Sequence, residues 1–324
     1  MGNLDSPGLD QVRRAREVIA PHLHRTPLVP SETLSRMTGH RVILKLENLQ
    51  KTGSFKPRGA INHISSLSSE RRARGVVTIS AGNHAQGVAY AAQVLGAHAT
   101  VVMPAHATRA KAEAARGYGA EVILHGDVAA AFQKVRELER DRDLHFVHPF
   151  DDARIVAGQG TLGMEILEDL PDVDAILVGI GGGGLISGVA LAAKEMRPAI
   201  RIIGVEPTGA DTMFRSRREG KPARLDRVET IADGLGAPFA GELNFRLVER
   251  YVDDLVLVED GEILEAVRLL LERCKTLSEP AGAAALAALL AGKVPLASGS
   301  RVCCVVSGGN LGADLLARYL LPTG

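Results

Sequence analysis

Eight short runs of β-branched and aliphatic residues recur along the chain, and most are apolar from end to end. They are Arg41 to Glu47, Gly75 to Ser80, His98 to Pro104, Ala120 to His125, Asp174 to Gly179, Arg201 to Glu206, Asp254 to Glu259 and Arg301 to Ser307. A strand with one wet face alternates apolar and polar residues, so unbroken runs predict strands covered on both faces, as in a parallel sheet. Longer stretches with helical spacing separate them. That alternation predicts a doubly wound α/β protein, and 324 residues suggest about two domains. One self-contained series of units runs from about Gly75 to Phe150 and a second begins at Asp174. Thr208 to Tyr251 has no clean periodicity.

Charge and cysteine usage narrow the function. With 38 Lys and Arg against 38 Asp and Glu the chain has no net charge. Without a basic block, nucleic acid and anionic membranes are poor partners, because both demand clustered Lys and Arg. The best cluster, Arg71 to Arg74, reads as a solvated helix end. Three cysteines, two of them adjacent in an apolar run, predict a reduced, cytoplasmic protein. The N-terminus has no apolar core of a signal peptide. The longest apolar run, Ala281 to Gly292, has the length of a buried core helix and falls short of the ~20 residues of a membrane span.

Glycine is over-used, 35 residues against an average near ~7%, and it gathers where predicted strands end. The four places are Thr52 to Ala60 (TGSFKPRGA), Ser80 to Gly87 (SAGNHAQG), Gly179 to Gly188 (GIGGGGLISG) and Ser307 to Gly312 (SGGNLG). Open α/β sheets bind ligands beyond the carboxyl ends of their strands, where backbone N–H groups and a helix N-terminus attract an anion. Four such turns predict one substantial ligand. Gly181, Gly182, Gly183, Gly184 and Leu185 offer consecutive N–H groups to a phosphate. A rival reading stays open at this point: Gly179, Gly181 and Gly184 also fit G-x-G-x-x-G, with Glu206 about 20 residues on as the ribose acid of a nucleotide-dependent oxidoreductase.

The other turns carry side-chain chemistry. Lys56 precedes Pro57 where a loop turns into a helix, and the positive end of that helix would favour a neutral, nucleophilic amine. Phe55 beside it would wall off a flat ring, and Ser54 would hydrogen-bond a phosphate or the lysine. Ser80 reads as a helix N-cap with Asn83 in the first turn; Asn83 and His84 together in a glycine turn exceed what capping requires. Ser307 would offer a hydroxyl to a heteroaromatic nitrogen. No HExxH, CxxC or G-x-S-x-G occurs, so zinc and acyl-hydrolase chemistry find no support.

Taken in order, TGSFKPRGA, SAGNHAQG, HPFDDARIVAGQGT (His148 to Thr161), GGGGLISG, VEP (Val205 to Pro207), TIADG (Thr230 to Gly234), EPAGA (Glu279 to Ala283) and SGGN resemble the motifs of fold-type II pyridoxal-phosphate enzymes. The nearest subgroup is the serine/threonine dehydratases and serine racemases, and the resemblance spans about Thr26 to Gly312. It implies two open parallel-sheet domains, a larger one from residues 1–65 and 152–324 and a smaller one from 66–151, with pyridoxal 5'-phosphate in the cleft, covalently carried by Lys56. By the same resemblance Phe55 packs on the ring, Asn83 bonds its 3-oxygen, Gly181 to Leu185 cradle the phosphate and Ser307 faces the pyridine nitrogen. Ser54, Ser80, Ala81, Gly82, Asn83, His84 and Glu279 would line the substrate pocket. Glu206, with Ala210, would mark a cation site, although the family's later carboxylate falls at Thr212, with Asp211 one position off.

The implied activity is an ammonia-lyase reaction, β-elimination from a small β-hydroxy amino acid such as L-threonine or L-serine to a 2-oxoacid and ammonia. Serine racemase and 3-hydroxyaspartate dehydratase are its alternatives within the family. Racemases usually carry a serine where this chain has Ala81, so Lys56 alone would move the α-proton and elimination should dominate. The chain stops about ten residues after SGGNLG, which predicts no feedback inhibition by isoleucine. Short members of the family imply a homodimer or homotetramer.

Overall fold

The computed structural model describes residues 6–107 and 109–320; residues 1–5 and 321–324, at the ends of the expected larger domain, and Thr108 lie outside the described residues. Among the described residues ten strands form two sheets: β1 Leu28–Pro30, β2 Arg41–Leu46, β3 Val76–Ile79, β4 Ala99–Met103, β5 Glu121–Leu124, β6 His145–Phe146, β7 Ala175–Gly179, β8 Arg201–Pro207, β9 Asp254–Val258 and β10 Arg301–Val306. One sheet has the order β1-β2-β10-β7-β8-β9 and the other β5-β4-β3-β6. Every pairing is parallel except β1 with β2. All eight apolar runs become strands, within one residue of the expected bounds. β3, β4 and β7 are buried at every residue, whereas β5 and β9 are half-exposed because they form sheet edges.

Helices cover both faces of each sheet. The run at Ala281 becomes helix Pro280–Leu290, with ten buried residues, eight of them in the hydrophobic core of the six-stranded sheet. Arg71, Arg72 and Arg74 end helix Ser69–Arg74, and Arg71 pairs with Asp143 at 2.9 Å on the surface. Among the described residues no helix is long and apolar enough to cross a membrane. Cys303 and Cys304 are free and buried in β10, and Cys274 is free.

Beneath this architecture lies a fully buried ion network that the sequence reading did not anticipate. Arg58, two residues past Lys56, donates from Nε and Nη2 to Glu47 at 2.8 Å each, and from Nη1 and Nη2 to Glu165 at 2.7 and 2.9 Å. Lys45 Nζ donates to Glu165 at 2.6 Å and to the Thr26 carbonyl at 2.8 Å. Two cations face two carboxylates, so the cluster is neutral. Helix Ala153–Asp169 approaches helix Lys56–Ser65 closely because Gly158 lies against the Arg58 carbonyl, where a Cβ would sit 2.5 Å from that oxygen. That approach brings Glu165 within reach of Arg58.

Removing one partner of such a cluster leaves a buried charge uncompensated. Arg58→Met is therefore expected to lower stability by about 3–5 kcal/mol, read as a shift of the urea unfolding midpoint. Arg58→Lys should recover only part of it, since one ammonium cannot fork to both carboxylates.

Candidate active site

Strands of both sheets aim their carboxyl ends at one cavity of about 580 Å³, and all four glycine-rich turns contribute to its wall. Pairing sets this convergence. β10 lies between β2 and β7, so the segments after these three strands, carrying Lys56, Ser307 and Gly181, emerge side by side. β3 delivers Ser80 to His84 from the other sheet.

Lys56 opens helix Lys56–Ser65, with Pro57 in its first turn as the sequence predicts. Its Nζ donates to the Pro149 carbonyl at 3.1 Å and lies 5.1 Å from the centre of the Phe55 ring. Burial pushes this amine down to about 8, against the opposing pull of Glu279. The expected helix-end field is thus not the main cause; loss of water is.

The glycine loop is shaped to hold an anion. Gly183 caps helix Gly184–Met196 with φ at 93°, a left-handed conformation suited to glycine. At Gly182 a Cβ would collide with the Phe150 ring. The N–H groups of Gly181 to Leu185 have no acceptor among the described residues, although Ile180 and Ser187 on either side do. The loop is held from outside by Asn244, whose Nδ2 donates to the Gly182 carbonyl at 2.8 Å and the Phe150 carbonyl at 3.1 Å.

Asn83 begins helix Asn83–Val94 and is gripped at both ends of its amide. Nδ2 donates to Glu279 Oε1 at 2.5 Å, and Oδ1 accepts from Asn310 Nδ2 at 2.8 Å. One amide hydrogen of Asn83 remains for a ligand. Burial raises the Glu279 carboxyl to about 7, with the Asn83 bond opposing. Ser307 holds the Phe55 N–H through its carbonyl at 3.1 Å, while its hydroxyl is only loosely placed, 3.5 Å from the Ala281 carbonyl. Ala81 and Gly82 line the cavity.

Several expected residues sit differently. Ser80 is not the N-cap; Gly82 holds that position, and Ser80 Oγ accepts from the Gly82 N–H at 3.1 Å within the turn. His84 lines the cavity but is buried, its Nε2 3.3 Å from the Val147 carbonyl, and burial holds it well below the usual imidazole range. Ser54 is buried outside the cavity wall, with no partner for its hydroxyl among the described residues. Glu206 accepts from the N–H groups of Met213 at 2.9 Å and Phe214 at 2.7 Å, and burial raises it to about 8. It serves the start of helix Thr212–Glu219, so no ribose acid points at the glycine loop. Ala210 lies in the adjoining turn, and Asp211 pairs with Arg215. Among the described residues no group of three His, Cys, Asp or Glu side chains is placed to hold a metal.

The structure also brings in residues the sequence reading passed over. Asp151 accepts from the N–H groups of Glu242, Leu243 and Asn244, which sets Asn244 under the glycine loop. His148 Nδ1 accepts from the Asp151 N–H at 2.8 Å and the Phe150 N–H at 3.2 Å, which shapes the turn whose carbonyl holds Lys56. Both lie in HPFDDARIVAGQGT, one of the motifs that carry the family resemblance.

Known proteins resemble this chain over nearly its whole length. The family described as "Pyridoxal-phosphate dependent enzyme" matches residues 19–308. An L-threonine ammonia-lyase of Thermotoga maritima is 46% identical over 313 residues, 96% of this chain and 78% of that protein. Among solved structures, maize serine racemase superposes with a TM-score of 0.94 at 39% identity, covering 98% of this chain and 97% of that one. A threonine deaminase from tomato, Solanum lycopersicum, in its processed form, gives 0.90 at 36% identity over 98% and 95%.

With its amine held near 8, Lys56 of the ligand-free protein is expected to react with acetic anhydride increasingly as pH rises from 7 to 9, because only the neutral amine attacks. That rise should level off by about pH 9, whereas an exposed lysine, near ~10.4, would go on gaining reactivity about tenfold per pH unit and level off only above about pH 10. Competitive labelling with peptide mass spectrometry reads the difference.

Proposed function

This chain belongs to the pyridoxal-phosphate dependent enzymes, and from that premise we propose that it dehydrates and deaminates L-threonine, and L-serine, to a 2-oxoacid and ammonia. One observation carries the reading: a lysine amine held near 8 shares one cavity with five backbone N–H groups that have no acceptor among the described residues. A phosphate fits that cradle, where a side chain at Gly182 would not. The relatives named for threonine ammonia-lyase and threonine deaminase activity support the substrate.

Bound pyridoxal phosphate supplies the electron sink that makes the α-proton of an amino acid acidic. The chain's residues do the rest. Lys56 would carry the cofactor, Gly181 to Leu185 would take its phosphate through N–H groups, Phe55 would pack on the ring, and Asn83 would give its remaining amide hydrogen to the 3-oxygen. Ser307, a neutral hydroxyl, would face the ring nitrogen without fixing a proton there. The turn from Ser80 through Ala81, Gly82 and Asn83 would receive the substrate carboxylate. Lys56 Nζ would take the α-proton, its low affinity for protons keeping part of it neutral near pH 8. Loss of the β-hydroxyl as water and hydrolysis then yield 2-oxobutanoate from threonine or pyruvate from serine.

Ala81 supports elimination over racemisation, since it offers no hydroxyl to return a proton from the opposite face. The six-stranded sheet draws strands from both flanks of residues 66–151, which supports the division into a larger domain, 1–65 with 152–324, and a smaller one. Buried free cysteines and balanced charge support a cytoplasmic enzyme, and the family resemblance supports a homodimer or homotetramer.

Incubation with pyridoxal phosphate and L-threonine tests the reading: a visible absorption band and accumulating 2-oxobutanoate are expected. A colourless protein, or a coloured one that makes no oxoacid from threonine or serine, overturns it. Lys56→Ala should lose the absorption band of the lysine-bound cofactor and slow turnover by at least about 10²-fold. Ala81→Ser should raise the ratio of serine racemisation to elimination by roughly tenfold or more, measured by chiral chromatography.

A further inference from the structure

We propose that Lys111 and Asp233 form a latch across the mouth of the cavity, acting as positioning residues that hold its two walls at working distance; the inference rests on the dehydratase reading of the same site. Lys111 lies on helix Arg109–Gly117, between β4 and β5 of the four-stranded sheet, and Asp233 opens the turn Asp233–Leu235, between β8 and β9 of the six-stranded one. Both line the cavity. Lys111 Nζ donates to Asp233 Oδ2 at 2.5 Å. A second tie secures the same region, since the Tyr118 hydroxyl donates to the Lys51 carbonyl at 3.2 Å, in the loop that leads to Lys56. One segment of the small sheet's wall is thus fastened twice to the opposite wall.

The pair is exposed enough to open. Its side chains are 32% and 63% accessible, and a wet ion pair of this kind biases an equilibrium by about fivefold at most. That strength suits a contact that must release for substrate entry and reform afterwards, and it weakens as salt rises. The latch also reaches the inner site. Gly234, next to Asp233, packs on Ala281 and Glu279, so the turn that carries Asp233 backs onto the carboxyl that grips Asn83. TIADG, the sequence motif with no role in the chemistry above, thereby gains one.

Three holoenzyme variants test this: Lys111→Met, Asp233→Asn and the charge swap Lys111→Asp with Asp233→Lys. Each single change should raise KM for L-threonine about two- to fivefold with a smaller effect on kcat. Each should also quicken amide hydrogen exchange in residues 109–118 and flatten the salt dependence of KM. The swap should bring KM and exchange back within about twofold of the parent. Singles that match the parent in both exchange and salt dependence, or a swap as defective as the singles, overturn the latch. Exchange needs no turnover, so an enzyme that makes no oxoacid would sink the assigned reaction while still reporting on the latch.

Discussion

The catalytic wall depends on one buried contact, the fork of Arg58 between Glu47 and Glu165. Lys56 begins the helix that Arg58 anchors, β2 ends in Lys45 and Leu46 with Glu47 next, and Glu165 comes from a helix 120 residues away from Lys45. A buried ion cluster of this kind is a poor source of net stability, because desolvation consumes most of the Coulomb attraction. What it supplies is register. A guanidinium with fixed donors bonds both carboxylates only when helix Lys56–Ser65 sits at one rotation and one height. That rotation points Lys56 at the Pro149 carbonyl and Arg58 away from the cavity. An apolar replacement would fill the volume yet leave the helix free to slide, and a shift of about 1 Å at a reacting amine is costly.

Legibility divided along the range over which a residue's meaning is decided. Strand existence is local, so eight unbroken apolar runs became eight strands. The two strands left out carry little local signal: β1 has three residues with Pro30 inside it, tolerable only at a sheet edge, and β6 has two residues. The glycine turns were legible because strand ends and glycine together imply backbone approach. The ion network was not, since Lys45 and Glu47 sit in a run that reads as strand and nothing nearby announces Glu165. Lys111 and Asp233 were opaque for the same reason, 122 residues apart. Glu206 shows the converse failure: its spacing suited a ribose acid, but side-chain direction gives it to the N–H groups of the next helix.

Lys56 also shows how the right direction of a shift can rest on the wrong cause. A neutral, nucleophilic amine was expected from the helix N-terminus, whose field is worth about 0.3–1 kcal/mol. Burial does more, because an ammonium removed from water loses solvation that the Pro149 carbonyl replaces only in part. Glu279 pulls the other way, and burial raises that carboxyl to about 7 in turn. The two groups therefore temper one another. At neutral pH the ligand-free cavity holds a partly protonated carboxyl and a mostly charged amine, a state poised to lose or gain one proton at little cost.

That balance explains why the hydrogen bonds around Glu279 matter more than their number suggests. Asn83 donates to Glu279 and accepts from Asn310, so the amide cannot flip without breaking both contacts. Its free hydrogen is thereby aimed by residues from two other turns. The same amide links the SAGNH turn of one sheet to the EPAGA and SGGN turns of the other, and the latch closes over the outside of that link. A site assembled from both sheets gains its precision only when the two walls are fixed together. The weak, wet pair at the mouth and the buried amide chain within are two ends of one requirement: the cavity must open to admit an amino acid and must return to the same geometry each time it closes.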